Sequence, residues 1–246
     1  MGKIQVQQVA MVGGAMLLGA YVLWGSCSFR KGQGGVCEGV EVEVREGAVA
    51  QFVTSGEVIE LLKREGVYPV GKDWKEVNTE KLEKSVEAHA MVSEAEAYVT
   101  PCGKVKVVVC QREPVLRVQG REGNFYVDRC GQIMPLSARS TVSLPLARGY
   151  VERELATGML YEIALFLRDD GYWHGQIAQL YVDRAGEVEL IPSEGEHRIV
   201  LGKPEGFEEK LSNLRLFYEQ AIPKFGWEKY SVISVKYRDQ VVCTRR

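Results

Sequence analysis

From Val9 to Phe29 the chain runs VAMVGGAMLLGAYVLWGSCSF without one charged side chain. A helix needs about 20 apolar residues to cross a hydrocarbon core of about 30 Å, and this run has that reach. Gly13, Gly14 and Gly19 weaken a helix in water but are frequent in membrane spans, and Tyr21 and Trp24 fall near one end, where amphipathic rings settle at the headgroups. The run predicts a single transmembrane helix at residues 9–29 behind a cytoplasmic tail at residues 1–8. A cleaved signal peptide and a lipoprotein signal acylated at Cys27 compete with this reading. Trp24, Gly25 and Ser26 fit poorly where a lipobox wants an aliphatic residue, so a retained anchor is expected. Only Lys3 precedes the run whereas Arg30 and Lys31 follow it, so positive charge by itself slightly favours the opposite orientation.

Residues 30–39 belong to a stretch rich in Gly and Ser with no hydrophobic period, which reads as a tether. Its Gly32, Gly34 and Gly35 make no dinucleotide fingerprint, because no strand leads into them and no helix follows. Next, Val40, Val42 and Val44 alternate with Glu41, Glu43 and Arg45, the two-residue period of a strand. Thr54 and Glu57 have capping-box spacing before an apolar stripe of Val58, Leu61 and Leu62 that stops at Gly66. Asn78 or Thr79 can cap a second helix carrying Leu82, Val86 and Ala90 on one face. Two strands follow, Ala95–Val99 and Val105–Val109 in outline, joined by Pro101, Cys102 and Gly103. Residues 40–113 thus predict a β-α-α-β-β domain.

Past Pro114 the pattern changes to strands and turns. Phe125 to Val127 run into Asp128-Arg129-Cys130-Gly131 and resume at Ile133. Leu155 to Leu167 is densely apolar at helical spacing; Val182, Val188, Leu190, Ile199 and Leu201 belong to short strands. A helix from about Pro204 to Ala221 is expected to end before Pro223. Residues 114–246 therefore predict an α+β domain with a curved, mainly antiparallel sheet and flanking helices. Its last segment, YSVISVKYRDQVVCTRR, alternates Ile233, Val235, Tyr237 and Val241 with Ser234, Lys236, Arg238 and Gln240. That period predicts one continuous terminal strand at a sheet edge.

Chemistry leaves little trace. A formal net charge of -2 with interspersed signs gathers neither nucleic acid nor an anionic membrane. The six cysteines form no Cys-x-x-Cys pair and have no histidine at ligand spacing, so no metal site is expected, and whether any of them pair is left open. His89, His174 and His197 lie apart from any nucleophile or metal motif and read as surface or capping residues. The carboxylate pairs Glu41 with Glu43 and Asp169 with Asp170 read as solvated charges. No catalytic or cofactor-binding residue is assigned, and an enzyme is not expected.

The segment VKVVVCQREPVLRVQGREGNFYVDRCGQIMP, Val105 to Pro135, with its Arg112–Pro114 exit from a strand and its Asp128–Gly131 turn, is similar to the domain junction of FtsQ/DivIB-type bacterial division proteins. Ser143-Leu144-Pro145 and the ending ISVKYRDQVVC also resemble that family. The order of span, tether, polypeptide-transport-associated (POTRA) domain and C-terminal β domain matches along the chain, although the tail is short and poor in basic residues and the family's long C-terminal extension is missing. The resemblance implies a non-enzymatic scaffold in the bacterial inner membrane, crossing it once, with its bulk in the periplasm at the division septum. It further implies that the terminal strand receives a strand from an FtsB/DivIC-type partner, which also binds an FtsL-type protein, and that assembly is coupled to septal peptidoglycan synthesis. Ile233, Val235, Lys236, Tyr237, Arg238, Asp239, Gln240 and Val241 are the residues so implicated, with Tyr237 at the partner-facing aromatic position. An edge strand suits such a use because it offers unpaired N–H and C=O groups. The alternative is a POTRA-containing chaperone of outer-membrane protein assembly or secretion, although the chain lacks a barrel's many alternating segments.

Overall fold

The computed structural model describes residues 35–45, 50–137, 139, 142–237 and 240–246. The expected tail, the expected span and residues 30–34 of the tether lie outside the described residues, and among the described residues no helix is long and apolar enough to cross a membrane. The chain divides into two compact units. One holds Val53–Cys110 with residues 35–45, and the other holds Gln111–Arg246 with residues 50–52.

In the first unit β1 (Gly39–Val44) is followed by α1 (Ser55–Arg64), α2 (Thr79–Glu87), β2 (Val92–Val99) and β3 (Lys104–Gln111). The Thr54 hydroxyl accepts from the Glu57 N–H at 3.4 Å and the Glu57 carboxylate accepts from the Thr54 N–H at 2.9 Å, so two orphan donors are satisfied reciprocally. Val58, Leu61 and Leu62 face inward, and Gly66 terminates the turn at a φ of 71° that only glycine takes without strain. Asn78 accepts from the Lys81 N–H at 3.0 Å and starts α2, which buries Leu82 and Val86 but ends at Glu87. Ala90 therefore falls beyond the stripe it was expected to extend. The sheet order is β1-β3-β2. β1 and β3 run parallel, Val42 opposite Val107, because the two helices carry the chain across between them.

The second unit begins with β4 (Pro114–Gly120), β5 (Gly123–Asp128), β6 (Ile133–Met134) and β7 (Leu146–Gly149). It continues with α3 (Arg153–Thr157), α4 (Met159–Asp169), β8 (Ile177–Val182), β9 (Val188–Pro192), β10 (Arg198–Gly202), α5 (Phe207–Phe225), β11 (Tyr230–Ser234) and β12 (Val242–Arg245). All nine strands form one sheet in the order β12-β11-β10-β9-β8-β7-β4-β5-β6. Five neighbouring pairs are antiparallel, as expected, but β4 with β7, β7 with β8 and β10 with β11 are parallel. Two of the parallel pairs follow helical crossovers, α3–α4 before β8 and α5 before β11. The core joins the inward row Val118, Ala147, Leu180, Leu190, Ile199 and Ile233 to Leu160, Ile163 and Leu167 of α4 and Leu211, Leu214 and Tyr218 of α5. Each fully buried leucine or isoleucine there is worth about 1.5–3 kcal/mol.

Three expectations are corrected. The apolar run Leu155–Leu167 is two helices broken at Gly158, where an added Cβ would stand 2.9 Å from the Glu154 carbonyl. Pro223 does not end α5; the helix continues to Phe225, since Pro223 removes one donor in the last turn while Ile222 stays buried and the Gly226 N–H closes on the Ile222 carbonyl at 2.8 Å. The terminal strand is a hairpin of β11 and β12, not one strand.

Candidate functional site

β12 is the last strand of the sheet, and among the described residues no strand pairs with its outer side. Its inner side is held by β11, with Ile233 opposite Cys243 and Ser234 opposite Val242. β11 in turn is an interior strand, parallel to β10 with Ile199 opposite Ile233. A row of outward amides and carbonyls on β12 is thus mounted on a strand that is itself core.

The implicated residues divide sharply around this edge. Ile233 is fully buried and Val235 is 1% exposed, its N–H given to the Val200 carbonyl at 2.9 Å, so neither side chain can touch a partner. Lys236 is drawn away to Glu187 at 2.6 Å, a hydrogen bond and charge pair that raise its pKa, and its stem lies over Gly202, where a Cβ would meet it at 2.7 Å. Tyr237 is 58% exposed, Gln240 is exposed and donates its N–H to the Tyr237 carbonyl at 3.4 Å, and Val241 is half-buried. Arg238 and Asp239 lie outside the described residues. The strand residues at the edge itself, Val242, Cys243, Thr244 and Arg245, were not singled out by the sequence. Their signal was present, since Val242 and Thr244 continue an extended pattern beyond the polar Arg-Asp-Gln break.

Beside the hairpin, the outer face of α5 and Val241 enclose a groove of about 510 Å³. Leu216 and Phe225, each about half exposed, and Phe217 give it an apolar floor, while Asn213, Gln220 and Lys224 supply polar groups. Lys229 stands 4.0 Å from the Phe225 ring centroid, a cation–π contact at the helix end. Val242, also half exposed, adds apolar surface on the edge strand.

Under the hairpin His197 is buried, contrary to the surface role expected of it. Its Nε2 lies 2.6 Å from the Tyr218 hydroxyl and its ring stacks on Trp227 at 5.3 Å between centroids. Burial, and to a lesser degree the Arg246 charge, lowers its pKa below the usual imidazole value; burial also raises the Tyr218 phenol and the Cys243 thiol. Arg246 pairs with Glu196 at 2.7 Å and its N–H meets the Lys229 carbonyl at 3.2 Å, so both ends of the hairpin are tied down.

The two carboxylate pairs and the other two histidines have structural partners. Glu41 and Glu43 hold Lys104 and Lys106 at 2.7 and 2.6 Å, and the lysine hydrogen bonds keep both carboxyls below their ordinary range. Asp169 binds Arg168, and Asp170 accepts from the N–H groups of Tyr172 and Trp173. His174 takes its hydrogen bond at the Arg168 carbonyl, and His89 lies near the Met91 N–H. No group of His, Cys, Asp or Glu among the described residues could hold a metal ion, and the five described cysteines are unpaired with one another. The geometry offers backbone recognition at an edge.

The family model described as FtsQ/DivIB, C-terminal related matches residues 113–244, and a POTRA-like domain model matches residues 35–110. A comparison with curated proteins returned no match. Among solved structures, the major extracytoplasmic domain of the trans isomer of the cell division protein DivIB from Geobacillus stearothermophilus is similar, at 16% identity and a TM-score of 0.32, over 46% of this chain and 96% of that one.

Proposed function

Because the chain belongs to the FtsQ/DivIB family, whose C-terminal-related model covers residues 113–244, we propose that it is a membrane-anchored, non-enzymatic scaffold of the bacterial division complex that receives a partner strand on β12. A role in cell division follows from the membership itself. The partners in this reading are an FtsB/DivIC-type protein and, through it, an FtsL-type protein, met in the periplasm at the septum, and their assembly is coupled to septal peptidoglycan synthesis. The residues beside the incoming strand are Tyr237, Arg238, Asp239, Gln240 and Val241 with the edge residues Val242 to Arg245; Ile233, Val235 and Lys236 act by holding the hairpin.

The observation that carries the reading is the outer side of β12, on which no strand pairs among the described residues, at the end of a nine-stranded sheet. Backbone pairing there would supply affinity, and the apolar groove on α5 together with Tyr237 would supply selectivity. Proline placed in turn at Val242, Cys243 and Thr244 tests it, since proline removes a ladder donor and distorts the edge. Where circular dichroism shows an intact fold, partner binding is expected to fall about 100-fold, as a loss of ~3 kcal/mol requires. Unchanged binding by all three folded variants removes strand addition as the mechanism.

A further inference from the structure

The arginines of the second unit divide unevenly. Most meet a carboxylate, as Arg112 meets Asp128 at 3.3 Å and Arg198 meets Glu189 at 3.2 Å. Arg117, Arg121, Arg148, Arg184 and Arg245 form no ion pair among the described residues; Arg245 lies on β12, and the other four lie on or beside β4, β7 and β8. Those three strands are mutually parallel, so their carboxyl ends come to one rim of the sheet. The rim is closely built. A Cβ on Gly120 would stand 2.6 Å from the Val151 carbonyl, and Gly149, at a φ of 99°, is pressed against the Val182 carbonyl.

Tyr150 follows β7 at that rim. The guanidinium of Arg121 lies 5.7 Å from its ring centroid and that of Arg184 lies 5.4 Å, and Arg184 Nε donates to the Tyr150 hydroxyl at 2.5 Å. Stacking holds both forks in place while leaving terminal N–H groups for an acceptor. Just inside the rim, on the face away from the core, Arg117 is opposite Leu146 and Arg148 is opposite both Gln119 and Tyr181. The two arginines are therefore diagonal neighbours on adjacent strands, roughly 8 Å apart by strand spacing and rise, close to the roughly 7 Å between alternate side chains of an extended chain. Leu146 and Tyr181 lie half-buried beside them on the same face, which also carries the buried Tyr126 opposite Arg117 and, beyond Tyr181, Glu189, whose carboxylate is taken by Arg198.

We propose that this face binds an extended acidic segment of a polypeptide partner. Carboxylates at alternate positions meet Arg117 and Arg148 through forked hydrogen bonds, a further carboxylate meets Arg121 and Arg184 over Tyr150, and intervening apolar side chains cover Leu146 and Tyr181. The interleaved apolar residues favour a peptide over a headgroup or polyphosphate, which would leave them wet. The surface lies four to six strands from β12, roughly 20–30 Å away by strand spacing. It is independent of strand addition there.

The test is titration of the full chain in detergent with a fluorescent octapeptide of alternating glutamate and valine. Saturable binding is expected, weakening with salt, about tenfold or more weaker for the double variant Arg117→Glu/Arg148→Glu, and unchanged for Arg215→Glu, whose guanidinium already pairs with Glu219. Arg148→Gln, which removes charge without reversing it, is expected to give a smaller loss in the same direction. A lysine-valine peptide should not bind. The proposal is overturned if the acidic peptide does not bind, if the double variant binds it equally with an unchanged circular dichroism spectrum, or if phosphatidylglycerol vesicles engage these arginines while the peptide does not.

Discussion

Two sheet edges in this molecule are finished in opposite ways. In the first unit β2 ends its sheet, yet two of its outward donors are occupied: Glu83 of α2 accepts from the Ala97 N–H at 2.8 Å and Glu87, one turn on, accepts from the Ala95 N–H at 3.3 Å. Glu94 and Glu96, exposed on the same strand, would also face like charges if two copies of β2 were paired. In the second unit β12 has no such carboxylate stopper among the described residues, and apolar Val242 is exposed upon it. An exposed edge is an aggregation hazard that proteins ordinarily blunt. Of these two edges, only β12 is left open to an incoming strand.

The contrast can be broken most severely from beneath. Ile233→Ala empties a fully buried position on the strand that carries β12, and is expected to cost about 2–5 kcal/mol in urea denaturation of the second unit and to abolish partner binding without altering an exposed group. Removing the stoppers with Glu83→Ala/Glu87→Ala should cost less, about 1–2 kcal/mol, since alanine favours the helix while two charge-assisted bonds are lost. Hydrogen exchange at Ala95 and Ala97 should accelerate, and concentration-dependent self-association should appear; unaltered exchange would show that the carboxylates do not guard those amides. A smaller effect is expected from acid. His197 is neutral and buried with a lowered pKa, against about 6.5 in the unfolded chain, so its native environment is compatible with full stability above that value. As pH falls from about 6.5 through the folded value the unfolded state takes up the proton first, and the urea midpoint of the second unit should drop; His197→Gln should flatten that slope. The smallest effect belongs to β1, the other edge of the first sheet, where Glu41→Gln removes an exposed pair with Lys104 and should leave the thermal midpoint unmoved.

What could be read beforehand was local. The Thr54–Glu57 box, the Asn78 cap and the stop at Gly66 act within a few residues, and each stands where its spacing implied. The terminal hairpin was hidden because Tyr237 and Val241 keep the two-residue period through the break. The break depends on distant groups: Val235 still bonds to Val200, and then Lys236 turns to Glu187. His197 was misread for a similar reason, as its burial needs Tyr218 and Trp227 from other elements. Glu83 and Glu87 look like any wet helix face until α2 is laid along β2. Arg117, Arg121, Arg148 and Arg184 are scattered in sequence and come to one region of the sheet only because three strands run the same way.

The crossover through α5 has a temporal consequence. β12 can dock only on β11, and β11 reaches β10 only after a 19-residue helix has folded back over the sheet. The proposed landing strip therefore exists only once α5 has folded back and the distant strands β10 and β11 have met. On the proposed function, a copy cut short or stalled during synthesis would have nothing to offer, so engagement at this rim would double as an inspection that the whole sheet has been built.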